Sequence, residues 1–287
     1  MGIRAGFIGL GNQGKPIAAH LAPAGFGTTV YDVVAAPMEE LAQGGAVTAT
    51  SPREVAERSD VVGICVPEDD DVRAVLEGEE GVLAGASPGT VVAIHSTVLP
   101  DTVLELADQA ETKQVSILDA CVTGGAGRAA QKQLTYLVGG DAEALEKARP
   151  VLQNSSVKII HAGPLGSGAK LKLCINLITY IQWAAAFESF HLAKAIGLPQ
   201  EVLEEAGQAN GQITPMMLAY LASHKIPEDV RKGEAVQSMM RGFMKVAEKD
   251  LAWVLKLARS ADVSLPVGGL VSQMMARLYG VADEGRR

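Results

Sequence analysis

The first half of the chain alternates two hydrophobic rhythms. The apolar, β-branched runs "RAGFIGL", "TTVYD", "DVVGICV", "TVVAIHS", "VSILDA", "LTYLVGG" and "VKIIHAG" read as strands. Between them, "GKPIAAHLAPAG", "APMEELAQGG", "SPREVAERS", "DDVRAVLEG", "PDTVLELADQA" and "DAEALEKARPVLQ" carry helical spacing, with Ser51 and Asp141 as caps and Gly25 and Gly44 as stops. Regular strand-helix alternation implies a parallel sheet covered on both faces, the doubly wound α/β class.

After Gly163 the strand signals vanish. Helical patterns follow over 166–196, 199–206, 212–222, 241–259 and 267–279. The expected organisation is an α/β domain over 1–164 and an all-α domain over 165–287, entered by a long interdomain helix. Gly197 and Pro199 should end that helix and open the next. "SHKIPEDVRKGEAVQ" is polar and aperiodic, which predicts a loop. The stretch "LCINLITYIQWAAAF", Leu173 to Phe187, is the longest without a charge. It is shorter than the roughly 20 residues a bilayer span needs, so a buried helix of a soluble protein is expected and no membrane partner.

Charge narrows the function classes. With 33 acidic against 25 basic residues and a net charge of -8, the chain has no basic patch suited to nucleic acid. The start shows no basic segment leading into an apolar core, so a cytoplasmic location is expected. Cys65, Cys121 and Cys174 form no C-x-x-C and are expected as buried thiols. The five histidines lack zinc spacing, so no metal is expected.

"IGLGNQG" places Gly9, Leu10, Gly11, Asn12, Gln13 and Gly14 in a G-x-G-x-x-G turn between a predicted strand and a predicted helix. In a Rossmann-type sheet the first glycine permits the turn, the second lets backbone approach a pyrophosphate, and the third lets helix and strand pack closely. Asp32 ends the next strand, where an acid accepts hydrogen bonds from the adenosine ribose; a turn-forming role is its other reading. Val33 and Val34 follow it rather than arginine, which favours NAD over NADP. Val66 and Pro67 end another strand over the crevice and are expected to wall the cofactor. The acids Glu68 to Asp71 are expected to be a solvated helix start.

"GPLGSGAKLKLCIN" carries two lysines. At about 100° per residue, Lys172 shares a helix face with Asn176, while Lys170 points away from Lys172. Two outcomes are open for Lys172: desolvation that lowers its pKa toward acid-base use, or a side chain snorkelling to water. His95 ends a strand and is taken as structural. In "GFMKVAEKDLAWVL", Asp250 lies on an apolar stripe with Phe243, Val246 and Trp253, and so needs a partner. Met216, Met217, Tyr220, Met239, Met240 and Phe243 are either core or pocket lining, with core the default.

These motifs together resemble the β-hydroxyacid dehydrogenase family over essentially the full length. Its G-x-G-x-x-x-K-x-x-x-N element is matched by Gly166, Gly168, Lys172 and Asn176. The resemblance implies Lys172 as catalytic acid or base and Asn176 as the residue that orients substrate. "HSTVLPDT" resembles the family's S-T-[IV]-x-P-x-T element, implying Ser96 as a substrate ligand with Thr97 beside it toward the cofactor. "DACVTGGAGRA" resembles D-A-P-V-S-G-G and puts Thr123, Gly124 and Gly125 at the substrate carboxylate. Two glycine N-H groups after a hydroxyl make a plausible carboxylate nest, and strand-end turns are the alternative for both loops. The family's K-D pair falls on Lys249 and Asp250, implying that Lys249 approaches cofactor and substrate. Ile94, Cys121, Thr123 and Ile175 depart from the family pattern. The implied activity is NAD-dependent oxidation of a small 3-hydroxy carboxylic acid, or reduction of its semialdehyde, by a homodimer or homotetramer joined through the α-domain. An imine reductase on the same scaffold and a non-catalytic dinucleotide sensor are the alternatives; Lys172 speaks against the first.

Overall fold

A computed structural model of the chain describes residues 2–282. The chain divides into two compact units, with the boundary between Lys172 and Leu173.

The first unit is built on eight strands: β1 (Arg4–Ile8), β2 (Gly27–Tyr31), β3 (Val47–Thr48), β4 (Val61–Ile64), β5 (Val91–Ile94), β6 (Ser116–Thr123), β7 (Leu134–Gly139) and β8 (Ser156–Gly163). They lie in the order β3-β2-β1-β4-β5-β6-β7-β8. β1 therefore has β2 on one side and β4 on the other, the reversal that opens a crevice beyond the strand ends. The central strands "VVGI" and "VVAI" are buried throughout, as unbroken β-branched runs covered on both faces should be. Successive residues point to opposite sides: Phe7, Val61 and Val91 enter one apolar cluster, and Ile8, Val62 and Val92 enter the other.

Two features differ from the sequence reading of this unit. β7 runs antiparallel to β6, whereas every other neighbouring pair is parallel. Thr123 to Leu134 is too short for the crossover a parallel return requires. The helix after β1 covers only Gly14–Ala18 and is followed by a 3₁₀ turn at Ala22–Ala24. Pro23 at the start of that turn has no N-H to continue the ladder.

The second unit is helical. The long helix Ser167–Ala195 begins in the first unit and continues into the second. It is followed by Gln200–Ala209, Pro215–Ser223, Glu228–Arg231, Glu234–Ser260, Pro266–Ser272 and Met275–Tyr279. Gly197 adopts φ +79° and Pro199 caps the next helix, as the Gly-Leu-Pro spacing predicts.

The structure overturns four expectations. The uncharged run from Leu173 to Phe187 is not buried all round. Leu173, Asn176, Tyr180, Ala184 and Phe187 face inward at spacings of three and four, while Cys174, Ile178 and Ala185 are exposed. Both faces are apolar, so the sequence offered no polar side to mark the surface. Cys174 is accordingly an exposed thiol and Cys65 a half-buried one, leaving only Cys121 buried.

The supposed loop 223–237 contains the short helix Glu228–Arg231, and the following helix starts at Glu234 rather than Arg241. Gln237 hides that start from a hydrophobic pattern because it is a buried polar residue. Its Nε2 donates to the carbonyls of Arg231 (2.9 Å) and Gly280 (3.1 Å), and its Oε1 accepts from Ala282 N-H (3.0 Å). Of the six apolar residues read as core, Met217 and Tyr220 are buried, but Met239 and Phe243 are exposed. Among the described residues no helix is long and apolar enough to cross a membrane.

Candidate active site

The glycine turn sits where β1 ends. A Cβ on Gly9 would overlap the Cys65 carbonyl oxygen, and one on Gly14 would overlap the Gly9 carbonyl oxygen. Both glycines are fixed by the close packing of protein on protein. Gly11 is different, since a Cβ there would meet nothing within 4 Å. Its missing side chain leaves open space on the exposed side of the turn, beside exposed Asn12. Gln13 Nε2 is buried and has no hydrogen-bond partner among the described residues. An open glycine and a spare buried donor at the sheet's switch point fit a pyrophosphate-bearing dinucleotide.

Asp32 follows β2. Its Oδ2 accepts from Leu10 N-H (2.5 Å) and its Oδ1 from Val34 N-H (2.8 Å). The carboxylate therefore ties the glycine turn to the end of β2 and forms a turn of its own. Val33 and Val34 beside it are exposed, with no basic group between them.

At the ends of β4 and β5, Ser96 Oγ accepts from Val66 N-H (2.9 Å). Ser96 is buried, Thr97 and Val66 are half-buried, and Pro67 is exposed. Asp69 does more than begin a solvated helix. Its Oδ1 accepts from Leu99 N-H (2.9 Å) and Thr102 Oγ1 (2.7 Å), fastening the segment that follows Ser96. His95 lies between Phe7, stacked at 5.6 Å, and the edge of Tyr136 at 5.3 Å. Its Nδ1 lies 2.8 Å from the Ala120 carbonyl oxygen, so the neutral ring donates there. Burial pushes its pKa down to about 4, against the opposing effect of that hydrogen bond. A neutral, enclosed imidazole fits the structural role read from the sequence.

Thr123 closes β6 and is half-buried. Gly124 and Gly125 have φ of 128° and 75°, backbone regions that side-chain-bearing residues avoid, and a Cβ on Gly125 would meet nothing within 4 Å. The "GGAGRA" segment, for which a strand-end turn is the alternative to a carboxylate nest, continues into the short helix Gly125–Ala130.

Lys172 is half-buried and Lys170 exposed, which separates the two lysines as the helical spacing requires. The turn that carries them starts on the sheet. Asp119, fully buried in β6, accepts Gly166 N-H on Oδ1 (3.0 Å) and Ala169 N-H on Oδ2 (2.7 Å). Burial pushes the Asp119 carboxyl up, while the amides of Ala169, Gly166 and Gly168 act the other way. Lys172 thus belongs to the same compact unit as the glycine turn, Ser96 and Thr123.

In the helical unit, Asn176 donates Nδ2 to Asp250 Oδ2 (2.7 Å), and Tyr180 OH donates to the same oxygen (3.0 Å). Lys249 Nζ lies 3.5 Å from Asp250 Oδ1, with side chains only 8% and 3% exposed. This answers the need of Asp250 for a partner. Burial first, and then the Asp250 charge, push the Tyr180 hydroxyl well above its ordinary range, so it stays a donor. The sequence reading missed Asp69, Asp119 and Tyr180. The first two carried a signal: an aspartate beside a strand end, and an aspartate inside the apolar run "SILDACV".

Comparison with known proteins agrees with this geometry. The NAD-binding domain of 6-phosphogluconate dehydrogenase matches residues 4–163. The NAD-binding domain of NADP-dependent 3-hydroxyisobutyrate dehydrogenase matches residues 166–286. An NAD-dependent L-serine dehydrogenase of Pseudomonas aeruginosa is 34% identical over 92% of this chain and 88% of its own. A 3-hydroxyisobutyrate dehydrogenase of the same organism is 32% identical, covering 96% and 92%. A solved Mycobacterium tuberculosis 3-hydroxyisobutyrate dehydrogenase with L-serine has a TM-score of 0.81 at 30% identity, covering 98% of this chain and 94% of that one. The chain belongs to the β-hydroxyacid dehydrogenase family, NAD-dependent oxidoreductases of the 3-hydroxyisobutyrate dehydrogenase type.

Proposed function

We propose that the protein oxidises the alcohol of a small 3-hydroxy carboxylic acid, or runs the reverse reduction, with Lys172 as the proton acceptor or donor. NAD, when bound, supplies the hydride acceptor. Lys172, as the neutral amine, takes the hydroxyl proton at Nζ, so the alcohol loses one hydride and one proton and becomes a carbonyl. Asn176, one turn later on the same face, orients the substrate, and the family resemblance assigns Lys249, next to Asp250, to cofactor and substrate. Ser96 Oγ, which accepts from Val66, keeps its own hydrogen to donate to a carboxylate, together with Thr123 and the N-H groups of Gly124 and Gly125. Holding the carboxylate aligns the reacting C-H bond.

One observation carries the reading: the buried carboxylate of Asp250 takes a hydrogen from Asn176 Nδ2. That bond supports an amide orientation in which Oδ1 and the second N-H can meet a ligand.

The pyrophosphate would lie on Gly9 to Gly14, the ribose on Asp32, and Val66, Pro67 and Thr97 would wall the crevice. Asp32 with neither arginine nor lysine after it supports NAD over NADP. L-Serine and 3-hydroxyisobutyrate are the first substrates to try. A homodimer or homotetramer through the helical unit is part of the proposal, supported by Ile178, Leu192 and Ile196, which are 52%, 62% and 63% exposed. A cytoplasmic location also belongs to it, and cell fractionation tests that.

The experiment is NADH formation by purified protein with a panel of 3-hydroxy acids, beside Lys172→Ala. Turnover that the variant loses while it still binds NADH supports the proposal; turnover that survives in the variant removes Lys172 from its role.

A further inference from the structure

We propose that Asp119 is the positioning residue for Lys172, its carboxylate seating the first turn of the lysine's helix on the sheet so that the amine meets the substrate. This rests on the reading of Lys172 as the group that moves the proton.

A carboxylate in the middle of a buried strand is costly unless its oxygens are satisfied. Asp119 is such a group, and both of its oxygens go to the start of one helix, at Gly166 and Ala169. An ordinary N-cap comes from the residue that precedes the helix and fixes only local geometry. This one comes from β6, 47 and 50 positions away, and so sets where the helix sits on the sheet. The negative charge also suits the positive end of the helix dipole.

Packing leaves the seat no slack. A Cβ on Gly168 would overlap the Asp119 carbonyl oxygen and lie 2.5 Å from that of Leu137. One on Gly139 would overlap Asp119 Oδ1 and lie 2.8 Å from Gly168 N. Gly166 faces Pro100, with 3.6 Å between its Cβ position and the proline Cβ, which places the turn beside the segment that follows Ser96.

Lys172 lies three residues after Ala169, on the same side of the helix. Helical side chains lean toward the N-terminus, so the lysine stem runs back over the turn that Asp119 holds. A shift of about 1 Å in a reacting group can lower the rate about 100-fold. Each of these residues lies in the same compact unit, so the link from Asp119 to Lys172 runs through one packed body.

The test compares wild type, Asp119→Asn, Gly168→Ala and Lys172→Ala by kcat, KM and NADH binding. Asp119→Asn keeps the shape but turns one acceptor into a donor that faces a backbone N-H. The expected result is a kcat lower by roughly 10- to 100-fold, with KM for the hydroxy acid and NADH affinity within about twofold of wild type. Gly168→Ala keeps the Asp119 side chain but displaces the turn seated on it, and should show the same split.

A purely structural role would lower the thermal midpoint yet leave kcat per NADH-binding site unchanged; that result, with Lys172→Ala inactive, overturns the positioning role alone. Loss of NADH binding in both Asp119→Asn and Gly168→Ala overturns it as well. Turnover retained by Lys172→Ala, or none by wild type, overturns the reading beneath it.

Discussion

Asn176 donates its side-chain amide to Asp250 across 2.7 Å, inside a helical unit where both residues are buried. Tyr180 donates to the same carboxylate oxygen, and Lys249 sits at the other. One acid thus organises a donor amide, a phenol and a cation.

Removing that acid should cost stability and alignment together. Asp250→Ala strands the buried donors of Asn176 and Tyr180, and each unsatisfied buried group costs about 1–3 kcal/mol. We expect urea unfolding to report a loss of about 2–5 kcal/mol and KM for the hydroxy acid to rise as the Asn176 amide loses its fixed orientation. A stability loss with unchanged KM would confine Asp250 to the fold.

The two glycines of the cradle should separate folding from cofactor binding. Gly14→Ala forces a Cβ into the Gly9 carbonyl and is expected to destabilise by about 1–3 kcal/mol or more. Gly11→Ala meets nothing within 4 Å in the protein, so its melting curve should match wild type. Its NADH affinity, followed by fluorescence titration, should nonetheless fall at least tenfold, because the methyl occupies the space that a pyrophosphate needs. Wild-type affinity in Gly11→Ala would move the phosphates elsewhere.

Asp32→Ser should shift cofactor preference. The variant removes a charge that repels a 2'-phosphate, so the NADP-to-NAD ratio of kcat/KM should rise about tenfold or more. Since Asp32 also accepts from Leu10 and Val34, kcat/KM with NAD should fall at the same time. Steady-state rates with both cofactors check it, and an unchanged ratio would reduce Asp32 to a turn former.

Much of this arrangement is legible in the sequence, and the exceptions share a physical cause. The β-branched runs of β4 and β5 and the glycine turn after β1 announce the sheet and its crevice, because burial and close approach constrain residue type directly. That Lys172 and Asn176 share a helix face follows from a four-residue spacing, whereas the roles proposed for them rest on the family resemblance. What the sequence hid was polar groups satisfied at long range. Gln237 buries its amide against Arg231, Gly280 and Ala282, which broke the hydrophobic rhythm at the start of its helix. Asp119 serves a helix 47 positions on, and Asp69 a turn 30 positions on, so that their sequence surroundings mark each as needing a partner without saying which. The exposed Cys174 and Ile178 were misread for the opposite reason, since an apolar surface looks like a core.

His95 predicts how the fold responds to acid. Its folded pKa is depressed from 6.5 to about 4 by burial, so the unfolded chain binds its proton first as pH falls. The neutral ring's contribution is fully present above about pH 6.5 and is lost progressively as pH falls toward 4. Between pH 7 and pH 5 this single group should remove about 2 kcal/mol of stability. Asp119, whose carboxyl is pushed up by burial, has the opposite sign, since its protonation favours the folded chain as pH falls. Urea unfolding of wild type and His95→Asn at pH 7 and pH 5 isolates the histidine. The variant is expected to start less stable, having lost a ring packed between Phe7 and Tyr136, but to lose about 2 kcal/mol less than wild type over that interval. Equal losses in the two proteins would mean that water reaches the ring, and that His95 is less enclosed than its contacts with Phe7, Tyr136 and Ala120 require.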